Sequence, residues 1–263
     1  MTDAVREVLA GERRWAVLHA DCLDVLPTLP AGSVDNVISD PPFSERTHDG
    51  ARGSVRTGRS AHKGFADGEG TRRLIDFDSI SADDFVGVVG EMVRVARRWV
   101  VITCDWRHAA VAESSGLPVV RCGVWVKPDA APQFTGDRPG TGWEAVLLLH
   151  RPGRKRWNGG GHHAVWTHPR DRSRLHPAVK PLTLIREWVE LFTDPGEVIL
   201  DPFAGSGTTG VACLQTGRRF LGVEISPEYA ALAEARLRKA EQEVASEAAF
   251  FGGAASAGLF GEE

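Results

Sequence analysis

The stretch Val198-Ile-Leu-Asp-Pro-Phe-Ala-Gly-Ser-Gly-Thr-Thr-Gly210 decides the fold. Residues 198–200 read as a short buried strand, the glycines as a tight turn, and residues 208–216 as a helix. Gly205, Gly207 and Gly210 satisfy the G-x-G-x-x-G spacing. Glu224 closes the next strand about 20 residues on, where an acid meets ribose hydroxyls in dinucleotide folds. A turn without Cβ atoms lets a ligand approach the backbone, and a carboxylate offers two acceptors to a diol. Thr208 and Thr209 stand where a P-loop needs its Lys, which excludes that reading. Asp201, just before the turn, would repel a pyrophosphate but attract the ammonium of a methionine moiety. A nicotinamide oxidoreductase remains the rival, and a glycine turn that only packs strand on helix is the bland alternative.

Outward from this turn, short apolar runs alternate with helical periods, the pattern of an α/β layer fold with a mainly parallel sheet. Strands are expected at 15–20, 34–39, 99–103, 120–126, 145–150, 198–200 and 219–225, with 120–126 and 145–150 as an antiparallel edge pair. Helices are expected at 22–29, 83–98, 182–192, 208–216 and 227–243, the last capped by Ser226 with Pro227 at its first position. Hydrophobic residues make up 42% of the chain and charged residues 25%, as in ordinary globular enzymes. The formal charge of −4 leaves any nucleic-acid affinity to local patches. Cys22, Cys104, Cys122 and Cys213 form no Cys-x-x-Cys pair, so reduced thiols are expected, and no metal site. The charged N-terminal residues read as no signal peptide, and no apolar run is long enough to span a bilayer. A cytoplasmic protein without a membrane partner is the expectation.

Asp40-Pro41-Pro42-Phe43 follows the apolar run 34–39 and so should lie at a strand's carboxyl end, where open α/β sheets bind ligands. Two prolines remove two backbone donors, leaving carbonyl acceptors and one carboxylate. That set suits a group with two N–H donors, and Phe43 offers a flat apolar face to a planar base. Alone, such a tetrapeptide is more often a plain turn.

Together the motifs resemble those of the DNA amino-methyltransferases, enzymes of adenine N6 and cytosine N4. The Asp40–Phe43 tetrapeptide is similar to their Asp/Asn/Ser-Pro-Pro-aromatic catalytic motif, and residues 201–209 to their cofactor loop. His176-Pro-Ala-Val-Lys-Pro181 resembles their His-Pro-Thr-Gln-Lys-Pro segment, with Val179 in place of Gln. The catalytic motif precedes the cofactor loop, as in the β class. The resemblance implies a doubly wound, Rossmann-like methyltransferase fold that uses S-adenosylmethionine, with a mixed, mostly parallel seven-stranded sheet. It implies that Asp201, Phe203, Ala204, Gly205, Ser206, Gly207 and Thr208 hold the methionine part and Glu224 the ribose. Asp21 and Cys22 would lie at the adenine, with Lys180 nearby. Asp21 equally suits a helix N-cap, and Lys180 a solvated surface position. Asp40, the Pro41 carbonyl, Pro42 and Phe43 would hold the target base. Accepting both amino hydrogens localises the nitrogen lone pair for in-line attack on a sulfonium methyl. Such a base must be flipped out of a duplex. The opening Asp favours adenine N6 over cytosine N4. A silent nucleic-acid-binding module is the other alternative.

Two basic insertions, 44–75 and 151–175, interrupt a single domain spanning 1–244. Arg46, Arg52, Arg56, Arg59 and Lys63 in the first, and Arg154, Lys155, Arg156 and Arg172 in the second, suit phosphates of double-stranded DNA. Trp157, Trp166, His162, His163 and His168 would stack or wedge there, unless the segment is a charged loop with one Trp in the core. Residues 245–263 read as a flexible tail. Its Ser256-Ala-Gly-Leu-Phe260 resembles the Gln-x-x-Leu-Phe peptides that dock on sliding clamps, but Ser256 replaces the Gln, so aromatics folded back on the enzyme or a twin subunit are favoured. A homodimer and a cognate restriction nuclease are the remaining partners that the resemblance admits.

Overall fold

The computed structural model describes residues 1–44, 80–133, 136–171 and 179–257, with side chains up to Phe250. Before the Asp40–Phe43 tetrapeptide come α1 (Asp3–Ala10), β1 (Trp15–His19), α2 (Cys22–Val25) with a following 3-10 turn (Leu26–Thr28), and β2 (Asn36–Ser39). Then follow α3 (Ala82–Val95), β3 (Trp99–Cys104), α4 (Trp106–Ser114), β4 (Val119–Val126), β5 (Trp143–His150) and β6 (Val165–Thr167). The last third holds α5 (Leu182–Phe192), β7 (Val198–Asp201), α6 (Thr208–Gln215), β8 (Arg219–Glu224) and α7 (Pro227–Ala257).

The strands form one sheet in the order β1-β8-β7-β2-β3-β5-β4-β6. Among them β5 alone runs against the rest, pairing antiparallel with β3 and β4. The chain proceeds from β2 to β3 on one side and from β7 to β8 on the other. The crevice between β2 and β7 is therefore the topological switch point, the place where ligands bind in such sheets. Alternation along the strands feeds two cores. Val37, Val100 and Ile102 face α1–α4, whereas Ile38, Val101 and Ile199 face α5–α7. Among the described residues no helix is long and apolar enough to cross a membrane.

The expected seven strands become eight, because Val165–Thr167 in the second basic segment pairs parallel with β4. Trp166 drives this addition: it is 1% exposed and packs edge-on against Trp188, their centroids 5.6 Å apart. Strands β4 and β5 pair antiparallel as expected, yet β6 covers them, so they are not an edge pair. Helix α3 stops before 98 because Ala96 bridges to Val34 and the Arg97 amide donates to the Val34 carbonyl at 2.9 Å. The tail expected to be loose from 245 is helical through Ala257, an extension that its alanines favour. Leu259 and Phe260 lie outside the described residues. Short helices α1 and α4 had no expectation at all; each is marked by an N-cap, Thr2 and Asp105.

Candidate active site

The glycine turn sits at the C-terminal end of β7 and leads into α6. Gly205 has φ +51° with open space where a Cβ would stand, so one face of the turn is free. Gly207, at φ +81°, caps α6, and a Cβ there would meet the Ala233 Cβ at 2.9 Å. Gly210 is a packing glycine, its virtual Cβ 2.6 Å from both Leu237 and Phe220. Glu224 receives the Gly205 and Ser226 amides, each at 2.8 Å, which fixes its carboxylate beside the turn. Strand β1 pairs parallel with β8, and this brings Asp21 beside Glu224. Asp21 does cap α2, accepting from the Leu23 amide at 2.9 Å, and its side chain stays half-exposed. Exposed Leu23 and Ile225 flank these two acids. Sequence reasoning missed both, although Ile225, an apolar residue directly after the acidic end of a strand, is a readable signal.

Several residues expected to touch a cofactor are turned inward instead. Asp201 is 3% exposed and accepts from Ser39 Oγ at 2.6 Å, Thr209 Oγ1 at 2.7 Å and the Phe203 amide at 3.1 Å. Burial pushes its carboxyl up to about 6 against those hydrogen bonds. It braces the turn from beneath and does not present a free anion to an ammonium. Cys22 is buried, and burial with the adjacent Asp21 charge pushes its thiol up to about 12, so its side chain belongs to the core. Ala204, Ser206 and Thr208 are also buried, and Phe203 packs half-buried on the first core. Arg236 of α7 clamps the turn, donating to the Ser206 carbonyl at 2.6 Å and its hydroxyl at 2.7 Å.

Beside this turn, β2 delivers Asp40. The Ser39–Asp201 hydrogen bond fastens the two motifs together across the switch point. Asp40 is held from two sides. Lys180 Nζ lies 2.5 Å from Oδ2, and the Thr103 hydroxyl donates to Oδ1. Lys180 is thus not a solvated surface lysine. Its side chain is 11% exposed, and its ammonium lies 5.5 Å from the Phe43 ring centroid and 5.9 Å from that of Trp125. Glu144 on β5 stands 3.4 Å from Lys180 and also pairs with Lys127, just past β4. Burial pushes the Asp40 carboxyl above its ordinary range while Lys180 pulls it back. Burial also disfavours the Lys180 ammonium, but the Asp40 and Glu144 carboxylates outweigh it and hold it raised. Pro41 is buried, and Pro42 and Phe43 are half-buried. The Ser44 amide, next in the chain, donates to the Asp105 carboxylate at 3.0 Å.

The second basic segment splits between the two edges of the sheet. Arg154 and Lys155 are exposed, but they precede Arg156, whose carbonyl accepts from the indole of Trp99 at the start of β3. The Arg156 guanidinium is forked onto Asp194 at 2.9 and 3.0 Å. All three cations therefore stand at the edge opposite Asp40. His168 bonds Glu187 at 2.6 Å and Trp157 stacks near Phe192, so these side chains strap the segment to α5. The exposed indoles at the catalytic edge are Trp106, with Arg107 4.4 Å over its ring, and Trp143. Arg46, Arg52, Arg56, Arg59, Lys63, Arg172 and His176 lie outside the described residues.

The profile of the N6/N4 methylases, described as DNA methylase, matches residues 34–235 and so spans both motifs. The chain belongs to the N6/N4 DNA methylase family. Among relatives of this N6/N4 methylase chain, the Type II methyltransferase M.XycI of Xanthomonas campestris pv. cyanopsidis is 33% identical over 146 residues, 51% of this chain and 49% of that protein. The chain spans about half the length of these Type II relatives. The DNA adenine methyltransferase YhdJ of Escherichia coli K12 is 26% identical over 261 residues, 91% of this chain and 88% of that protein. The Thermus thermophilus protein TTHA0409, solved complexed with S-adenosyl-L-methionine, superposes with a TM-score of 0.60 at 24% identity, covering 85% of this chain and 93% of that one. That likeness shows a shared methyltransferase fold.

Proposed function

We propose that this protein transfers a methyl group from S-adenosylmethionine to the N6 amino nitrogen of an adenine flipped out of double-stranded DNA. The observation that carries this reading is the 2.6 Å Ser39–Asp201 hydrogen bond. It locks a base-accepting carboxylate and a glycine turn side by side at the switch point.

The residues fit the cofactor. Gly205 leaves open space, Glu224 keeps free lone pairs toward it, and exposed Ile225 and Leu23 offer apolar faces to an adenine ring. S-adenosylmethionine supplies, when bound, an electrophilic methyl on a sulfonium. The chain's own work lies at the other substrate. Asp40 and the Pro41 carbonyl accept the amino hydrogens and Phe43 stacks on the ring, so the nitrogen lone pair points at the turn. Transfer of that methyl would replace its S–C bond by the new N–C bond, and the surplus amino proton would leave toward solvent past Asp40. Lys180 and Thr103 hold the carboxylate still meanwhile. Double-stranded DNA would lie across the edge that carries Trp106, Arg107 and Trp143. The adenine named for YhdJ and the opening Asp40 support N6. The Type II names of the other relatives support a restriction–modification setting with a cognate nuclease.

Incubating the protein with unmethylated genomic DNA and S-adenosylmethionine, then digesting the DNA to nucleosides for mass spectrometry, should yield N6-methyladenine. N4-methylcytosine would transfer the assignment to the other amino base of the family. Absence of both, with calorimetric binding of NAD in place of S-adenosylmethionine, would overturn the reading.

A further inference from the structure

Four ionisable side chains form a line along the catalytic edge of the sheet. Lys127 pairs with Glu144, Glu144 lies 3.4 Å from Lys180, and Lys180 lies 2.5 Å from Asp40. The antiparallel register sets Trp125 opposite Glu144 and places Lys127 one step beyond β4, its amide donating to the Gly142 carbonyl at 2.7 Å. Exposure changes along the line. Lys127, Glu144 and Lys180 side chains are 15%, 14% and 11% exposed, and Asp40 is 29%. Only the last member faces the crevice.

Buried ion networks contribute little net stability, since well-packed apolar side chains would serve as well or better. This one is also incompletely bonded. Glu144 Oε2 is buried without a hydrogen-bond partner, although the Lys180 ammonium is 3.4 Å away. Lys180 is therefore shared unequally, bonded to Asp40 and drawn back by Glu144.

We infer that Glu144, anchored by Lys127, is a positioning residue of the catalytic centre: by attracting the Lys180 ammonium from the far side it confines that ammonium to Oδ2, so that the Asp40 carboxylate keeps its direction and a lone pair for the amino group. The inference rests on the methyltransferase reading and deepens it. Without the Glu144 charge, Lys180, already 2.5 Å from Oδ2, swings further across the Asp40 carboxylate and competes with the base for its remaining lone pairs.

The test is Glu144→Gln, with the full chain. Expected are a kcat lower by about ten- to a hundredfold and a KM for S-adenosylmethionine within about twofold of wild type. Both limbs of the pH–rate profile should move to lower pH, because a lost neighbouring carboxylate makes Asp40 a stronger acid and Lys180 a weaker base. Among the described residues Asp201 and Cys104 also act on Asp40; the change leaves Asp201 untouched, and it removes from Cys104 one of the charges that hold its thiol raised, so that thiol stays neutral over a slightly narrower range. Lys127→Gln removes a positive charge and should move the acid limb the opposite way. Glu144→Asp, which keeps the charge, should recover part of kcat. Carbon-13 NMR of the Asp40 carboxyl, without cofactor or DNA, should show it titrating at lower pH in Glu144→Gln. If wild type transfers no methyl group, the functional reading fails and the NMR titration alone decides the inference. An unmoved Asp40 titration, or a Glu144→Gln enzyme with wild-type kcat and unmoved limbs, overturns it. So does a variant that loses activity only in step with its melting temperature.

Discussion

Asp40 and Glu224 sit on adjacent halves of one crevice, and their substitution should separate two functions. Asp40→Ala should lower kcat by about 10²-fold or more while cofactor affinity stays within about twofold, because the lost acceptor faces the base. Glu224→Ala should instead raise the apparent constant for S-adenosylmethionine, with smaller effect at saturation. Near-normal turnover of the first variant, measured with labelled cofactor, would remove Asp40 from the chemistry. Asp201 carries a different prediction, about stability. Its carboxyl is raised from 3.8 to about 6 by burial, so the folded protein keeps that proton where the unfolded chain has lost it. The contribution is greatest below about pH 4 and is lost as pH rises toward 6, at an order-of-magnitude cost of about 3 kcal/mol. Asp201→Asn should therefore gain stability relative to wild type between pH 4 and pH 7, read by urea unfolding at both. A difference independent of pH would refute it. Asp40, Glu224 and the glycines were legible because each lies in a contiguous motif with its own chemistry. Glu144 and Lys127 were not, since they meet only through the β4–β5 register, nor was the pairing of Lys180 with Asp40, since 140 residues of chain separate the two.

Elements behave likewise. Helix α5 was expected at 182–192 and is found there, since five apolar residues on one face and a preceding proline define it locally. Strand β6 was hidden in a segment whose arginines dominate its composition; three residues around one buried Trp give too short a period to read. Its presence changes what the segment does. The chain leaves β5 at the edge opposite the catalytic motif, straps Arg156 to Asp194, and returns along β6. Strand β3 alone separates the edges by about 20 Å at the usual rise per residue. Neutralising Arg154, Lys155 and Arg156 together should then leave the salt dependence of DNA binding unchanged. A slope flattened by two or three units in a filter-binding titration would place phosphates at that edge after all.

At the scale of the molecule, the sheet ends in a small strand that follows a long one. Gly123 on β4 makes room for it: a Cβ there would stand 2.6 Å from the Ala164 carbonyl oxygen and 2.8 Å from the Trp166 ring. Without β6, the eight residues of β4 would expose a continuous row of backbone donors and acceptors, a template onto which any other extended chain could zip. Val165–Thr167 cover the last three residues of that row, Val124–Val126, and being so short they offer little template of their own. Gly123→Val should evict β6 and give a protein that scatters light on standing and binds thioflavin while its catalytic residues stay intact. The bare hydrogen at Gly123 thus leaves β6 its seat, and on that seat should depend whether the protein stays dispersed in a crowded solution.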